Sequence, residues 1–193
     1  ATSSTVSLTV NTLPNITTQP ANDIKCVGQS STFTVVATGS ALTYQWRKGG
    51  SNITGATATS YTIISVTTVD ADNYDVIVSG TCSPAVTSSA ATLTVNTLPN
   101  ITTQPVSDTK CVGQSTTFTV AATGTAITYQ WRKGGSNITG ATTTSYTIGS
   151  VTTADGANYD VVVSGTCSPA ATSSTVSLTV NTLPNITTQP AND

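Results

Sequence analysis

Apolar and polar residues alternate along Thr32–Ala37, Leu42–Trp46, Tyr61–Ile63, Tyr74–Val78 and Ala91–Val95. A period of two puts every second side chain on one face, so each stretch predicts a half-buried β-strand, and none carries a helical period. Turn clusters separate them: ValGlyGlnSer at 27–30, ThrGlySer at 38–40, LysGlyGlySerAsn at 48–52 and SerGlyThrCysSerPro at 79–84. Pro20 predicts a first strand broken into two pieces, because proline cannot donate to a ladder and is tolerated only at edges and bends. Short strands at this spacing predict an all-β, two-layer sandwich.

The pattern then repeats. NTLPNITTQP begins at Asn11, Asn96 and Asn181, a period of 85 residues that Cys26 and Cys111, Trp46 and Trp131, Tyr74 and Tyr159, and Cys82 and Cys167 all obey. That length suits one small β domain and exceeds the short helical or leucine-rich repeats. The copies differ at scattered positions, such as Ile64 against Gly149 and Asp72 against Ala157, whereas Ala1–Asp23 is identical to Ala171–Asp193. The expected organisation is a domain over 16–95 and a second over 101–180, with linkers at 11–15 and 96–100. Residues 1–10 are then the last strand of a preceding repeat, and 181–193 the linker and first strand of a following one. The repeated ends mark a segment of a longer periodic chain.

Composition narrows the possibilities. Thr, Ser and Val dominate, which favours strands, and only 7% of residues are charged, leaving little to oppose lateral association. Six basic residues and a net charge of −2 give no clustered basic footprint for a nucleic acid or an anionic membrane. No apolar run reaches the ~18 residues of a membrane span. The chain contains no His and no Glu, so a nucleophile lacks its commonest base and no catalytic residue is assigned. Two cysteines per repeat fit an extracellular chain with disulfides.

The motifs Gly28…Phe33-x-Val35-x-Ala37-x-Gly39, Tyr44-x-Trp46-x-Lys48-x-Gly50, Tyr61-x-Ile63-x-x-Val66 and Asp70-Ala71-Asp72-Asn73-Tyr74-x-Val76 resemble strands B, C, E and F of immunoglobulin-like domains. More narrowly, the chain is similar to the tandem immunoglobulin-like repeats of very large secreted surface proteins in bacteria of the Bacteroidetes type. The resemblance covers 16–95 and 101–180 and implies tandem Greek-key sandwiches, a structural role on the cell surface and no cofactor. It implies a core around Trp46 and Trp131, and a tyrosine corner in which Tyr74 and Tyr159 bond backbone near a turn held by Asp70 and Asp155. One departure is plain. Val35 and Val76, with Val120 and Val161, stand where the family usually carries its inter-sheet cysteines.

On that alignment Cys26 falls at one end of the sandwich and Cys82 at the other. Six residues of strand rise ~20 Å, whereas bridged Cα atoms lie within about 7 Å. The favoured pairing is therefore Cys26 with Cys167 across the junction, leaving Cys82 and Cys111 for neighbouring repeats. The alternative, Cys26 with Cys82 and Cys111 with Cys167, is the usual habit of small secreted domains. The short linker, with Pro99 and with Leu98 expected to pack at the junction, favours a stiff joint.

Other motifs have simpler readings. The acidic run at Asp70–Asp75 suggests calcium, but the second copy loses the middle carboxylate at Ala157, so no metal is assigned. Lys25 and Lys110 lack the buried Glu that an isopeptide bond would use. The aromatics Phe33, Tyr44, Trp46, Tyr61 and Tyr74 fall on inward positions, leaving no platform for a sugar or base. Asn-Ile-Thr triplets at Asn15, Asn52, Asn100, Asn137 and Asn185 match the N-glycosylation pattern, which a Thr-rich chain from a bacterium would also meet by accident. The sequence thus points to a stalk or filament segment of an adhesin, whose partners are neighbouring repeats or laterally assembled copies. A binding module for a glycan or protein is the second reading.

Overall fold

The computed structural model describes residues 3–188. The chain divides into two units, Ala1–Asn96 and Thr97–Asp193. In the first unit, β1 (Asn15–Thr18), β2 (Asp23–Cys26), β3 (Ser31–Thr34), β4 (Val36–Thr38) and β5 (Thr43–Lys48) are followed by β6 (Ser51–Asn52) and β7 (Ser60–Ile63). A single 3-10 turn at Thr68–Asp70 leads into β8 (Asp72–Ser79), β9 (Val86–Thr87) and β10 (Ala91–Asn96). The second unit repeats this order as β11 (Asn100–Thr103), β12 (Asp108–Cys111), β13 (Thr116–Thr119), β14 (Ala121–Thr123), β15 (Thr128–Lys133), β16 (Ser136–Asn137), β17 (Ser145–Ile148), β18 (Ala157–Ser164), β19 (Ala171–Thr172) and β20 (Val176–Asn181).

Each unit has two layers. In the first, β1 pairs with β4 and β3 with β7, and β3 and β4 run on from one another through Val35. The other layer has the order β2-β10-β8-β5-β6, with β9 on β8; β2 and β10 are parallel and the other pairs antiparallel. The first strand changes layers at Pro20, which is buried. Side chains fill the ladder there: Gln19 Oε1 accepts from Ser89 N at 2.9 Å, and Asn22 Oδ1 from Thr92 N at 2.8 Å.

The predicted alternation sets the core. Tyr74, Val76 and Val78 of β8 are buried in turn, as are Ala91 and Leu93 of β10. They pack with Phe33, Val35, Trp46 and Val66, and the second unit builds the equivalent core around Phe118, Trp131, Val151, Val161 and Leu178. The ring of Phe33 lies 4.8 Å from that of Tyr74 and 6.3 Å from that of Trp46, and Tyr61 lies 6.0 Å from Tyr74.

Three features differ from the sequence expectation. A one-turn helix stands where none is predicted, because the Asp70 carboxylate accepts from both Thr67 N (2.8 Å) and Thr67 Oγ1 (2.7 Å) and closes the turn; Asp155 and Thr152 repeat this. The linkers are shorter than 11–15 and 96–100, since Asn96 ends β10 while Asn15 and Asn100 begin β1 and β11. Residues 3–10 form no strand, and Val6 and Leu8 are 94% and 89% exposed, although the same sequence at 171–180 supplies β19 and most of β20 and buries Val176 and Leu178 to 5% and 3%. Without strands equivalent to β12 and β18 beside it, this segment has neither ladder partners nor a core to cover. Of the following repeat's expected first strand, residues 186–188 form no strand and 189–193 lie outside the described residues.

Candidate functional site

The features that distinguish this chain from a generic sandwich lie at the two ends of each unit. At one end β2 and β10 finish side by side, with Cys26 in register with Asn96. Val27 N donates to Asn96 O at 2.9 Å, Gly28 N to Val66 O at 2.8 Å, and Cys26 N to Gln29 Oε1 at 2.7 Å. Tyr74, 1% exposed, donates its hydroxyl to Asp70 O at 2.8 Å, and Tyr159 does the same to Asp155 O at 2.9 Å. Burial, reinforced by Tyr146 and Asp155, pushes the Tyr159 hydroxyl up to about 12; burial likewise raises Tyr74. The Thr67 and Thr152 hydroxyls, helped by the backbone amides, hold Asp70 and Asp155 below the ordinary carboxylate range.

At the opposite end the residues before β1 fold onto the loops of their own unit. Thr12 N donates to Ser40 Oγ at 2.9 Å, and Ser40 N returns a bond to Thr12 O at 3.2 Å. In the second unit Thr97 and Thr125 make the same pair at 2.9 and 3.2 Å. Pro14 and Pro99 are buried, whereas Leu98 is 38% exposed, so proline is the packed linker residue. Glycine is required at two places here. A Cβ on Gly39, whose φ is +149°, would come 2.7 Å from Leu42 Cδ2 and 3.1 Å from Leu13 O, and one on Gly80 would come 2.8 Å from Ser40 O. The equivalents Gly124 and Gly165 would meet Ile127, Pro99 and Thr125.

Cys82 follows Gly80 at this second end, separated from Cys26 within the unit by the length of β8. Eight residues of strand span about 23 Å, well beyond the roughly 7 Å a bridge allows. Cys82 and Cys111 are free and partly exposed, whereas Cys26 and Cys167 are disulfide-bonded, with Cys167 1% exposed. The chain therefore contains a disulfide.

The sequence-identified core residues lie in the core of their own unit. Trp46, Val76, Trp131 and Val161 are 0% exposed, Val35 is 3% and Val120 6%, so the valines fill the space beside the tryptophan with methyl groups. Trp46 Nε1 donates to Ala58 O and Trp131 Nε1 to Thr143 O, both at 2.9 Å. Two buried serines carry weight that the alternating pattern does not reveal. Ser88 Oγ accepts from Val76 N at 3.0 Å and donates to Ser89 O at 2.9 Å, supplying the partner that the break between β9 and β10 removes; Ser173 does so for Val161. Across the outer sheet Arg47 Nε and Nη2 grip Asp75 at 2.6 and 2.8 Å, repeated by Arg132 and Asp160. Lys25 and Lys110 form partly exposed ion pairs with Asp23 and Asp108. Among the described residues no group of three His, Cys, Asp or Glu could hold a metal, and no helix is long and apolar enough to cross a membrane.

No family model matches the chain. It is 30% identical over 175 residues to Endoglucanase C of Cellulomonas fimi, covering 84% of this chain but 16% of that protein's length. Among solved structures, it matches titin domains I67–I69 with a TM-score of 0.74 at 19% identity, over 89% of this chain and 66% of that one. Sidekick-1 immunoglobulin domains 1–4 match at 0.71 and 18%, over 91% of this chain and 51% of that one, and Rst D1-D2 at 0.70 and 16%, over 88% and 100%. At these identities the likeness carries the fold. The chain is a tandem of immunoglobulin-like β-sandwich domains whose structural neighbours are themselves tandem immunoglobulin-domain proteins.

Proposed function

We propose that this chain is a structural repeat segment of a long secreted surface protein, an adhesin stalk or filament of the Bacteroidetes type, with no enzymatic role. Each domain serves as an inert spacer whose length is set by strands of up to eight residues. The observation that carries the reading is the state of the cysteines. Cys26 and Cys167 are bonded while their repeat equivalents Cys111 and Cys82 are free. A bridge from Cys26 to Cys167 accounts for both halves of that pattern and leaves one open thiol at each side for the next repeat on. The absence of a core disulfide fits, since two valines already fill the core and the cysteines are released for a different use.

The connection between domains supports the same reading. Asn96 is hydrogen-bonded within the first unit and Thr97, the next residue, within the second. No residue between them is left over as a free linker. A match confined to 16% of an endoglucanase also fits a repeat appended to other domains. Near-identical copies favour a spacer over a recognition module, whose loops would diverge or expose aromatics.

Non-reducing peptide mapping tests the pairing. A peptide joining Cys26 to Cys167 is expected, and one joining Cys26 to Cys82 would overturn it. Glycan and host-protein arrays probed with the two-domain chain are expected to stay blank; robust binding would instead support an adhesion module.

A further inference from the structure

Four asparagines acquire from the fold a setting that composition alone does not supply. In each Asn-Ile-Thr triplet at Asn15, Asn52, Asn100 and Asn137, the isoleucine is partly buried and packs on the hydrophobic core, while the asparagine and the threonine are both exposed. The core-bound Ile16, Ile53, Ile101 and Ile138 leave the flanking asparagine and threonine at the surface; Thr17 Oγ1 donates to Val36 O at 3.2 Å, and Thr54 and Thr139 stand in the turns that follow β6 and β16. All four asparagines also lie on edge strands. Among the described residues β1 and β11 pair only with β4 and β14, and β6 and β16 end the larger sheets on β5 and β15, so the far side of each strand carries no partner there.

We propose that these four asparagines are acceptors for N-linked glycans. The inference rests on the extracellular reading above, because the donor, a lipid-pyrophosphate-linked oligosaccharide, is met on the export route. Asn Nδ2 bonds to the anomeric carbon of the first sugar. The bond from that carbon to phosphate oxygen breaks, the lipid pyrophosphate leaves with the electron pair, and a base on the transferase takes the amide proton. No oxidation or reduction is involved.

The sites meet a physical need. Exposed edge strands are templates for pairing with other chains, and natural proteins protect them with charge, proline or cover. Only 7% of this chain is charged, and Ser51–Asn52 and Asn15–Thr18 carry no Lys, Asp or Pro. Two hydrated glycans per domain, one on each of these two edges, would provide that cover and hold neighbouring copies apart. A glycosylated array is then a separate stalk rather than a laterally bundled filament.

The test is a peptide mass map of the protein recovered from its native cell and from the surrounding medium, before and after an amidase that releases N-glycans and converts the bearing Asn to Asp. Expected are sugar-bearing peptides at all four sites that convert on treatment, with loss of sugar at Asn52 and Asn137 in the T54V and T139V variants. Bare asparagine in protein recovered outside the cell overturns the glycan and leaves the stalk reading intact. Protein found only inside the cell overturns both.

Discussion

The corner hydroxyls of Tyr74 and Tyr159 offer a clean perturbation, because each ring is held independently of its oxygen. Phe33 lies 4.8 Å from the Tyr74 ring and Phe118 5.0 Å from the Tyr159 ring, so replacement by phenylalanine keeps the packing and removes only the bonds to Asp70 O and Asp155 O. A partly buried hydrogen bond contributes about 0.5–1.5 kcal/mol net, and the carbonyl left behind raises the loss toward the upper end. For a domain of this size that corresponds to a fall in Tm of roughly 4–10 °C. The double variant Y74F/Y159F prevents one intact domain from masking the other. Thermal melts followed by far-UV circular dichroism and tryptophan emission read the change, and an unchanged denaturant m-value would show that the unfolded state is not responsible. The same variant carries a pH signature. With the Tyr159 hydroxyl at about 12 and an unfolded tyrosine near 10, the stabilisation is fully present below pH 10 and is lost as pH rises toward 12. Y74F/Y159F removes that alkaline loss. An unchanged Tm with an unchanged alkaline limb would refute the argument.

Three further outcomes follow from the two ends and the core. Asp70 and Asp155 have lowered folded pKa values, so their stabilisation is present above an unfolded carboxylate's pKa of about 3.9 and is lost as pH falls through the folded value; D70N/D155N should flatten that acid limb in urea titrations. Gly165→Ala drives a Cβ to 2.9 Å from Thr125 O and 3.2 Å from Pro99 Cγ, an overpacking cost of about 1–3 kcal/mol that should also speed hydrogen exchange at the Thr97 amide; unchanged exchange would mean that the linker is not bound there. S88A/S173A strips a partner from the buried Val76 and Val161 amides and should cost about 1–3 kcal/mol in each domain, read by the same melts.

The strands and core were legible because their signal is local. Phe33, Trp46, Tyr74, Val76 and Leu93 announce themselves by alternation, and Pro20 by its missing donor. Asp70 and Tyr74 could be named from the resemblance of Asp70-Ala71-Asp72-Asn73-Tyr74 to the immunoglobulin-like tyrosine corner. What lay hidden depends on contacts between distant residues. Ser88 looks like any loop serine until the break between β9 and β10 leaves Val76 N in need of an acceptor. Pro99 reads as a linker stiffener, yet it and Pro14 are buried against loops 25 and 66 residues further along the chain, where Gly39, Gly80 and their equivalents make room. The identical segments at 3–10 and 173–180 make the point within one chain: the same alternation is a strand only where neighbours receive it.

The central claim is that the chain is a repeating spacer, and imaging the intact protein on its native cell by electron cryotomography tests it most directly. The account predicts thin projections with a regular axial repeat of one domain, because no free linker residue separates successive domains. Surface label confined to compact particles without an axial repeat, or found only within the cell, would contradict it.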